Sequence, residues 1–420
     1  MRRLVNLFLF YMLILCGLTG CNSTKQVNNG DVTEFEYYFA NGRIANDADK
    51  NIYFFAKMTN TDGYFLYCYN NDNMTEAKPV CSKKNCTHNT NLCDAYYSSD
   101  ECVGKNIWIQ NGRIYRLKRD KVSGKICLES QNKDGSNIIK EAELWSAEDE
   151  LIESFWDNCF VLEKEKIYYV IKRDGQEYIS AMESGREIGK FDYKIDKYVL
   201  NSCKLVYSRG SIYYFAIYYD DSEAQLNIRQ RIYCYNTEEK SFSMIHEENG
   251  VYDINIMVSE DGQFTISGDG FSGIDFTYTV FDNYGKMYSW GMLNGNLRQI
   301  NISDWTYKDI NNTDSWGRIR YDGNSLILDN IDSGTLYGNV RKIESIDLNT
   351  MEKKEILFAS DEFSNVYCYG GNENFMLFIA NVKQNEDNSP YIIYYDCKEN
   401  TYYKILQITG SEYDMINDLY

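Results

Sequence analysis

The chain has 420 residues, with 43 Lys and Arg against 62 Asp and Glu, for a formal charge of −19. So acidic a body argues against nucleic acid as a partner, and against a second, electrostatic hold on anionic lipid, because both need basic patches. Its 38 Tyr and 20 Phe against 2 Pro suit half-buried strands better than helices, and the length allows one large β domain or two smaller ones.

Arg2 and Arg3 precede an apolar run from Leu4 to Leu18, interrupted at Asn6 and followed by Thr19-Gly20-Cys21. The run is about 15 residues, short of the ~20 that a helix needs to span hydrocarbon. Its charged start and small closing residues suit a cleaved signal. This order resembles a bacterial lipoprotein signal, with Leu18-Thr19-Gly20-Cys21 as the lipobox. The resemblance implies that residues 1–20 are removed and that Cys21 carries a diacylglyceryl group. Two acyl chains then give a stable hold on the outer face of the cytoplasmic membrane, which one chain does not. Losing Arg2 and Arg3 takes the charge to −21 for the chain from Cys21. Residues 21–33 are too poor in apolar groups to pack and read as a lipidated polar tether. Low Ala with high Asn, Lys, Ile and Tyr fits an AT-rich genome and, with the lipobox, a low-GC Gram-positive source.

From residue 34 onward, aromatic and β-branched strands recur. They begin at Ile52, Ile114, Ile167, Ile212, Phe264, Leu326 and Phe375, at intervals of 45 to 62 residues. That spacing is close to the ~40–50 of propeller repeats with inserted loops. A second element follows in several repeats and ends on Asn or Asp: Leu66 to Asn70, Ile232 to Asn236, Ile346 to Asn349 and Ile393 to Asp396. Such residues tolerate left-handed backbone angles and form side-chain turns, so each is expected to open a hairpin into an outer strand. The predicted fold is all-β: a β-propeller over residues 34–410 with seven four-stranded blades, and 411–420 as a tail. A blade cannot bury both faces alone, so the ring must close on itself. The stretch Phe35-Glu36-Tyr37-Tyr38-Phe39 is expected to supply that closure by completing the blade begun at Phe375. No Pro/Gly/Ser-rich linker near the middle supports two β-sandwich domains instead. Ile138 to Trp145 has some helical spacing and equally fits an outer strand plus loop.

The most specific local pattern is Cys81-Ser82-Lys83-Lys84-Asn85-Cys86-Thr87-His88, followed by Cys93-Asp94-Ala95-Tyr96. Thiolate and imidazole ligands in so short a loop can close a tetrahedral Cys3His zinc site at Cys81, Cys86, His88 and Cys93, although C-x4-C-x-H-x4-C is not a usual knuckle spacing. Such a zinc is structural, because four protein ligands leave no open position. Outside the membrane, a disulfide of Cys81 with Cys86 or of Cys86 with Cys93 is an open alternative, and so are free thiols. Cys102 lies near enough to replace a ligand or to pair with one. Through Cys81, Lys83, Cys86, His88, Cys93, Ala95 and Tyr96 the chain resembles a group of propeller-like lipoproteins of clostridial bacteria. That resemblance implies the fold class and a surface location, and no activity.

Catalytic patterns fail on inspection. Gly270-Phe271-Ser272-Gly273 has Ile274 where a nucleophile elbow needs its last glycine. Asp47-Ala48-Asp49-Lys50-Asn51 has Ile52 and Met58 where a calcium loop needs glycine and glutamate. A Ser-His-Asp arrangement has only His88 and His246 to draw on, and His246 reads as a blade-edge residue. Cys68, Cys234 and Cys368, set between tyrosines, read as small core hydrophobes. Trp290, Trp305 and Trp316 lie in Asn/Asp/Gly-rich stretches, as aromatic platforms for sugar or peptide or as wedges between blades. The sequence therefore points to a lipid-anchored propeller that binds protein, peptide or glycan, or serves as a scaffold. The alternative is a propeller-type carbohydrate-cleaving enzyme that uses loop carboxylates.

Overall fold

The computed structural model describes residues 44–57, 63–145, 160–163, 166–173, 176–183, 186–193, 199–220, 226–252, 255–258, 264–267, 278–281, 285–290, 296–312, 319–321, 325–331, 340–357, 362–372, 374–382 and 390–408. The expected signal, Cys21, the expected tether, the expected closing stretch Phe35–Phe39, the Gly270–Gly273 segment, Trp316 and the expected tail lie outside them. Every regular element among the described residues is a strand, and the fold is a β-propeller.

Its sheets follow one another along the chain, each an antiparallel meander. The first has five strands, Ile44–Asn46, Ile52–Lys57, Gly63–Tyr69, Lys78–Pro79 and Tyr96–Ser98. Four-stranded sheets begin at Cys102–Gln110, Phe160–Glu163, Val199–Ser208, Tyr278–Phe281, Ile319–Tyr321 and Phe363–Gly371. A separate two-stranded sheet, Asn255–Val258 with Phe264–Ser267, lies in sequence between the sheets that begin at Val199 and Tyr278, the fourth and fifth when the five-stranded sheet is counted first. The described residues thus depart from seven equal four-stranded blades by one extra strand and one extra hairpin.

A sheet wedged between two neighbours buries both faces, so its inner strands are continuously apolar rather than alternating. Phe375–Val382 is buried at all eight positions, whereas the outermost strand of the same sheet, Thr401–Gln407, is mostly exposed. Each junction has its own core. Phe55 and Ile107 join the first sheet to the second, and Leu117, Tyr168 and Tyr214 link the second, third and fourth. Phe215 meets Phe281 and Met287 of the fifth, Tyr288 meets Leu326 of the sixth, and Ile327 meets Phe378 of the seventh. Phe54 and Tyr369 close the ring between first and seventh, with Tyr369 Oη donating to Phe55 O at 2.7 Å. Each buried side chain of this size contributes about 1.5–3 kcal/mol of transfer free energy.

Six of the seven expected repeat starts fall on the second strand of a blade. The exception is Phe264, which lies in the extra hairpin; the fifth blade's second strand is Met287–Trp290. The fourth and fifth blades pack directly on each other, Tyr213 stacking on Phe281 at 4.6 Å, so the hairpin is an insertion in the connection between them. Ile139–Trp145 is the outermost strand of the second blade, not a helix.

The turns into the outer strands share one device. Asn236, Asp347 and Asp396 each end a third strand, and their side-chain oxygens accept the amides two and three residues on. The left-handed residue is the fourth after each, namely Lys240, Met351 and Asn400, rather than the Asn or Asp itself. In the sixth blade the turn starts at Asp347, two residues before Asn349. Trp305 takes the same left-handed place, four residues after Asn301.

Candidate metal centre

The cluster lies in the outer edge of the first blade. Lys78–Pro79 pairs with the C-terminal half of Gly63–Tyr69, and Tyr96–Ser98 pairs with its N-terminal half. Between them the chain makes an excursion over residues 80–95. Its base is tied at Leu66, whose carbonyl accepts Val80 N at 2.8 Å and whose amide donates to Ala95 O at 2.9 Å. The outermost strand is therefore one strand broken by a loop, and Cys81 and Cys93 stand at the two ends of the break.

The loop carries Cys86 and His88 back over its base. Asn85 and His88 have φ of 61° and 53°, left-handed values that side chains other than glycine's adopt at a cost of about 1–2 kcal/mol. As folded, the Sγ atoms of Cys81, Cys86 and Cys93 and a ring nitrogen of His88 all lie within 4.8 Å of one another. His88 Nδ1 is 3.4 Å from Cys93 Sγ. Zinc bonds of ~2.3 Å to sulfur and ~2.0 Å to nitrogen imply tetrahedron edges of about 3.5–3.8 Å, so small side-chain shifts would bring the four onto one ion. The three cysteines are free thiols in this arrangement. Cys93 is buried and the other three are half-buried. Cys102 is on the first strand of the second blade, packed against the core between the first two blades and outside the foursome.

The electrostatics suit a cation. Burial opposes charge on Cys81, but the amides of Lys83 and Asp94 and the thiols of Cys93 and Cys86 outweigh it and hold Cys81 below the ordinary thiol range. Burial pushes Cys93 up to about 12, with the neighbouring Cys81 and Cys86 adding to the effect. A second thiolate beside the first therefore needs a positive ion. Lys83 supplies one charge at the rim: its ammonium pairs with Asp94 at 2.7 Å and donates to Leu92 O at 2.6 Å, and the Asp94 contact raises its pKa. Amides that donate to the sulfurs, at Lys83 and at Ala95, are the outer-shell support that thiolate ligands require. The donor set thus fits a structural divalent metal.

The cluster and its order were readable from spacing. Asp94 as the Lys83 partner was not, and neither was Gly135 of the second blade, where a Cβ would lie 2.5 Å from Val80 O and 3.0 Å from Cys81 Cα. Nothing local in the sequence marks that contact.

Other candidates resolve into structure. Asp47 is buried and accepts from Asn51 N and Nδ2, both at 2.9 Å, and from Lys133 Nζ at 2.7 Å, so the acidic alternation is a turn anchor. His246 is on the outermost strand of the fourth blade, 3.0 Å from Glu248, with Trp305 of the fifth stacked on its ring at 4.0 Å. Trp305 is thus a wedge between blades, and Trp290 ends a strand. Cys68 and Cys234 are half-buried and share hydrogen bonds with Tyr53 and Tyr213.

No protein-family profile matches the chain, and no curated protein sequence matches it. Solved structures similar to it include an α-L-arabinofuranosidase from Fusarium graminearum in complex with an iminosugar inhibitor, at 11% identity over 75% of this chain and 93% of that one, TM-score 0.39. An α-L-arabinanase from Penicillium chrysogenum complexed with arabinobiose is similar at 13% identity over 75% and 94%, TM-score 0.39. A prolyl endopeptidase structure matches at 10% identity over 90% of this chain and 51% of that one, TM-score 0.47. Likenesses this distant carry no reading of activity.

Proposed function

We propose that this chain is a cell-surface β-propeller, lipid-anchored through Cys21 at the outer face of the cytoplasmic membrane. On this reading it acts as a binding or scaffold module for a protein, peptide or glycan, and its first blade is pinned by a structural zinc at Cys81, Cys86, His88 and Cys93. The resemblance of Leu18-Thr19-Gly20-Cys21 and of the cysteine motif to those of clostridial propeller-like lipoproteins supports this reading. The observation that carries the zinc in this reading is the convergence of three sulfurs and one imidazole nitrogen within 4.8 Å. Four protein ligands fill a zinc ion's coordination, so this metal holds a loop and activates no water.

The test uses the chain from residue 21 with Cys21→Ser, purified without chelator. About one zinc per chain is expected, and less than about one-tenth would remove the metal. The same protein is expected to retain a ligand on a glycan array or in a pull-down from the cell surface. Binding to nothing in either would remove the recognition role.

A further inference from the structure

We propose that the Cys81, Cys86, His88 and Cys93 site is the clasp of the ring: zinc bound there holds the first blade against the last. The inference rests on the zinc reading above and adds a role that pinning a surface loop does not require. It starts from what the thiols touch. Cys93 and Ala95 belong to the buried core shared by the first and seventh blades, together with Phe54, Tyr369, Leu377 and Ile405, and Cys81 and Cys86 pack against that same core. The three thiols are therefore part of the closing seam and not of a detached loop.

Among the described residues, the seam has no exchanged strand. All strands of the first sheet come from residues 44–98 and all strands of the seventh from residues 363–407. What spans it is side-chain packing, the bond from Tyr369 Oη to Phe55 O, and a bond from Ala77 N to Ile405 O at 2.8 Å. Ala77 opens the short segment that runs through Lys78–Pro79 directly into Cys81. On the far side, Gly135 of the second blade presses on the backbone of Val80 and Cys81. Residues 77–81 are thus held between the seventh blade and the second, and their position sets how the seam packs. Without a metal, the excursion from 80 to 95 is closed by two backbone bonds at Leu66 and by polar contacts at its exposed rim, from Lys83 to Asp94 and Leu92 O and from Ser82 to Asp94. A metal tying Cys81 to Cys93 removes the freedom of that loop and fixes the edge on which Ile405 and its neighbours rest.

The experiment is hydrogen exchange with mass-spectrometric readout on the Cys21→Ser chain, comparing the zinc-loaded protein, the same folded protein after a zinc chelator, and the His88→Ala and Cys86→Ser variants. Loss of zinc is expected to speed exchange at least about tenfold at 401–408 and 375–382 as well as at 80–98, while 211–220 in the fourth blade keeps its protection. Acceleration confined to 80–98 in a protein that carries one zinc overturns the clasp and leaves the zinc site standing. Acceleration spread equally through 211–220 overturns it as well, because the metal would then support the whole fold and not the seam. A protein that takes up no zinc overturns both readings, and metal analysis separates that outcome from the others.

Discussion

Asp47 shows how one side chain can imitate a functional motif. Burial on its own would raise its carboxyl, but hydrogen bonds from Asn51 and Lys133 outweigh that and hold it below the usual carboxylate range. Tyr53 Oη adds a longer contact at 3.3 Å. Because Lys133 belongs to the turn after the second blade's third strand, the pair ties two blades together. Asp47→Ala leaves these donors without their acceptor and is expected to cost about 3 kcal/mol in urea unfolding at pH 7. A carboxyl held low in the folded state stabilises above its unfolded value of about 3.9, and the contribution is lost as pH falls through the folded value. The gap between wild type and Asp47→Ala should therefore be widest above about pH 4 and narrow below it. Asp47-Ala48-Asp49 was legible as a feature of interest, but its partner Lys133, 86 positions away, was not, because an ion pair across blades leaves no local pattern.

At the scale of elements, the second strand of each blade was the readable one, for a physical reason. It is buried on both faces, so runs such as Ile52-Tyr53-Phe54-Phe55 and Phe375-Met376-Leu377-Phe378 stand out as unbroken apolar segments. Outer strands such as Thr401–Gln407 face solvent and do not. The fifth blade defeated the pattern because Met287-Tyr288-Ser289-Trp290 is short and interrupted by a buried serine, while Phe264-Thr265-Ile266 in the inserted hairpin has the stronger strand signal. Truncation tests that assignment. Met287 is fully buried between the fourth and fifth blades, so Met287→Ala should lose about 2–5 kcal/mol in urea unfolding. Met244, half exposed on the fourth blade's outermost strand, should lose no more than about 0.5 kcal/mol when replaced by alanine.

For the whole molecule the decisive contact is the one between the first blade and the last, which joins residues more than three hundred positions apart. Tyr369→Phe removes one hydroxyl from that seam and strands the carbonyl of Phe55. It is expected to cost about 1.5 kcal/mol, read as a fall of about 2 °C in melting temperature for a ring of this size. Much of this protein is written locally: an apolar run before Cys21 too short to span a bilayer, the β class in its aromatic strands, the propeller in their spacing, and the cysteine–histidine cluster as four residues within thirteen positions. Each of these depends on neighbours along the chain, so composition and periodicity suffice to reveal it. The tertiary structure alone decided which strands belong to which blade, that the cysteine loop interrupts an outermost strand, and that its thiols lie on the closing core. Those facts arise from packing between blades, where a residue's partner is selected by the ring and not by its place in the sequence.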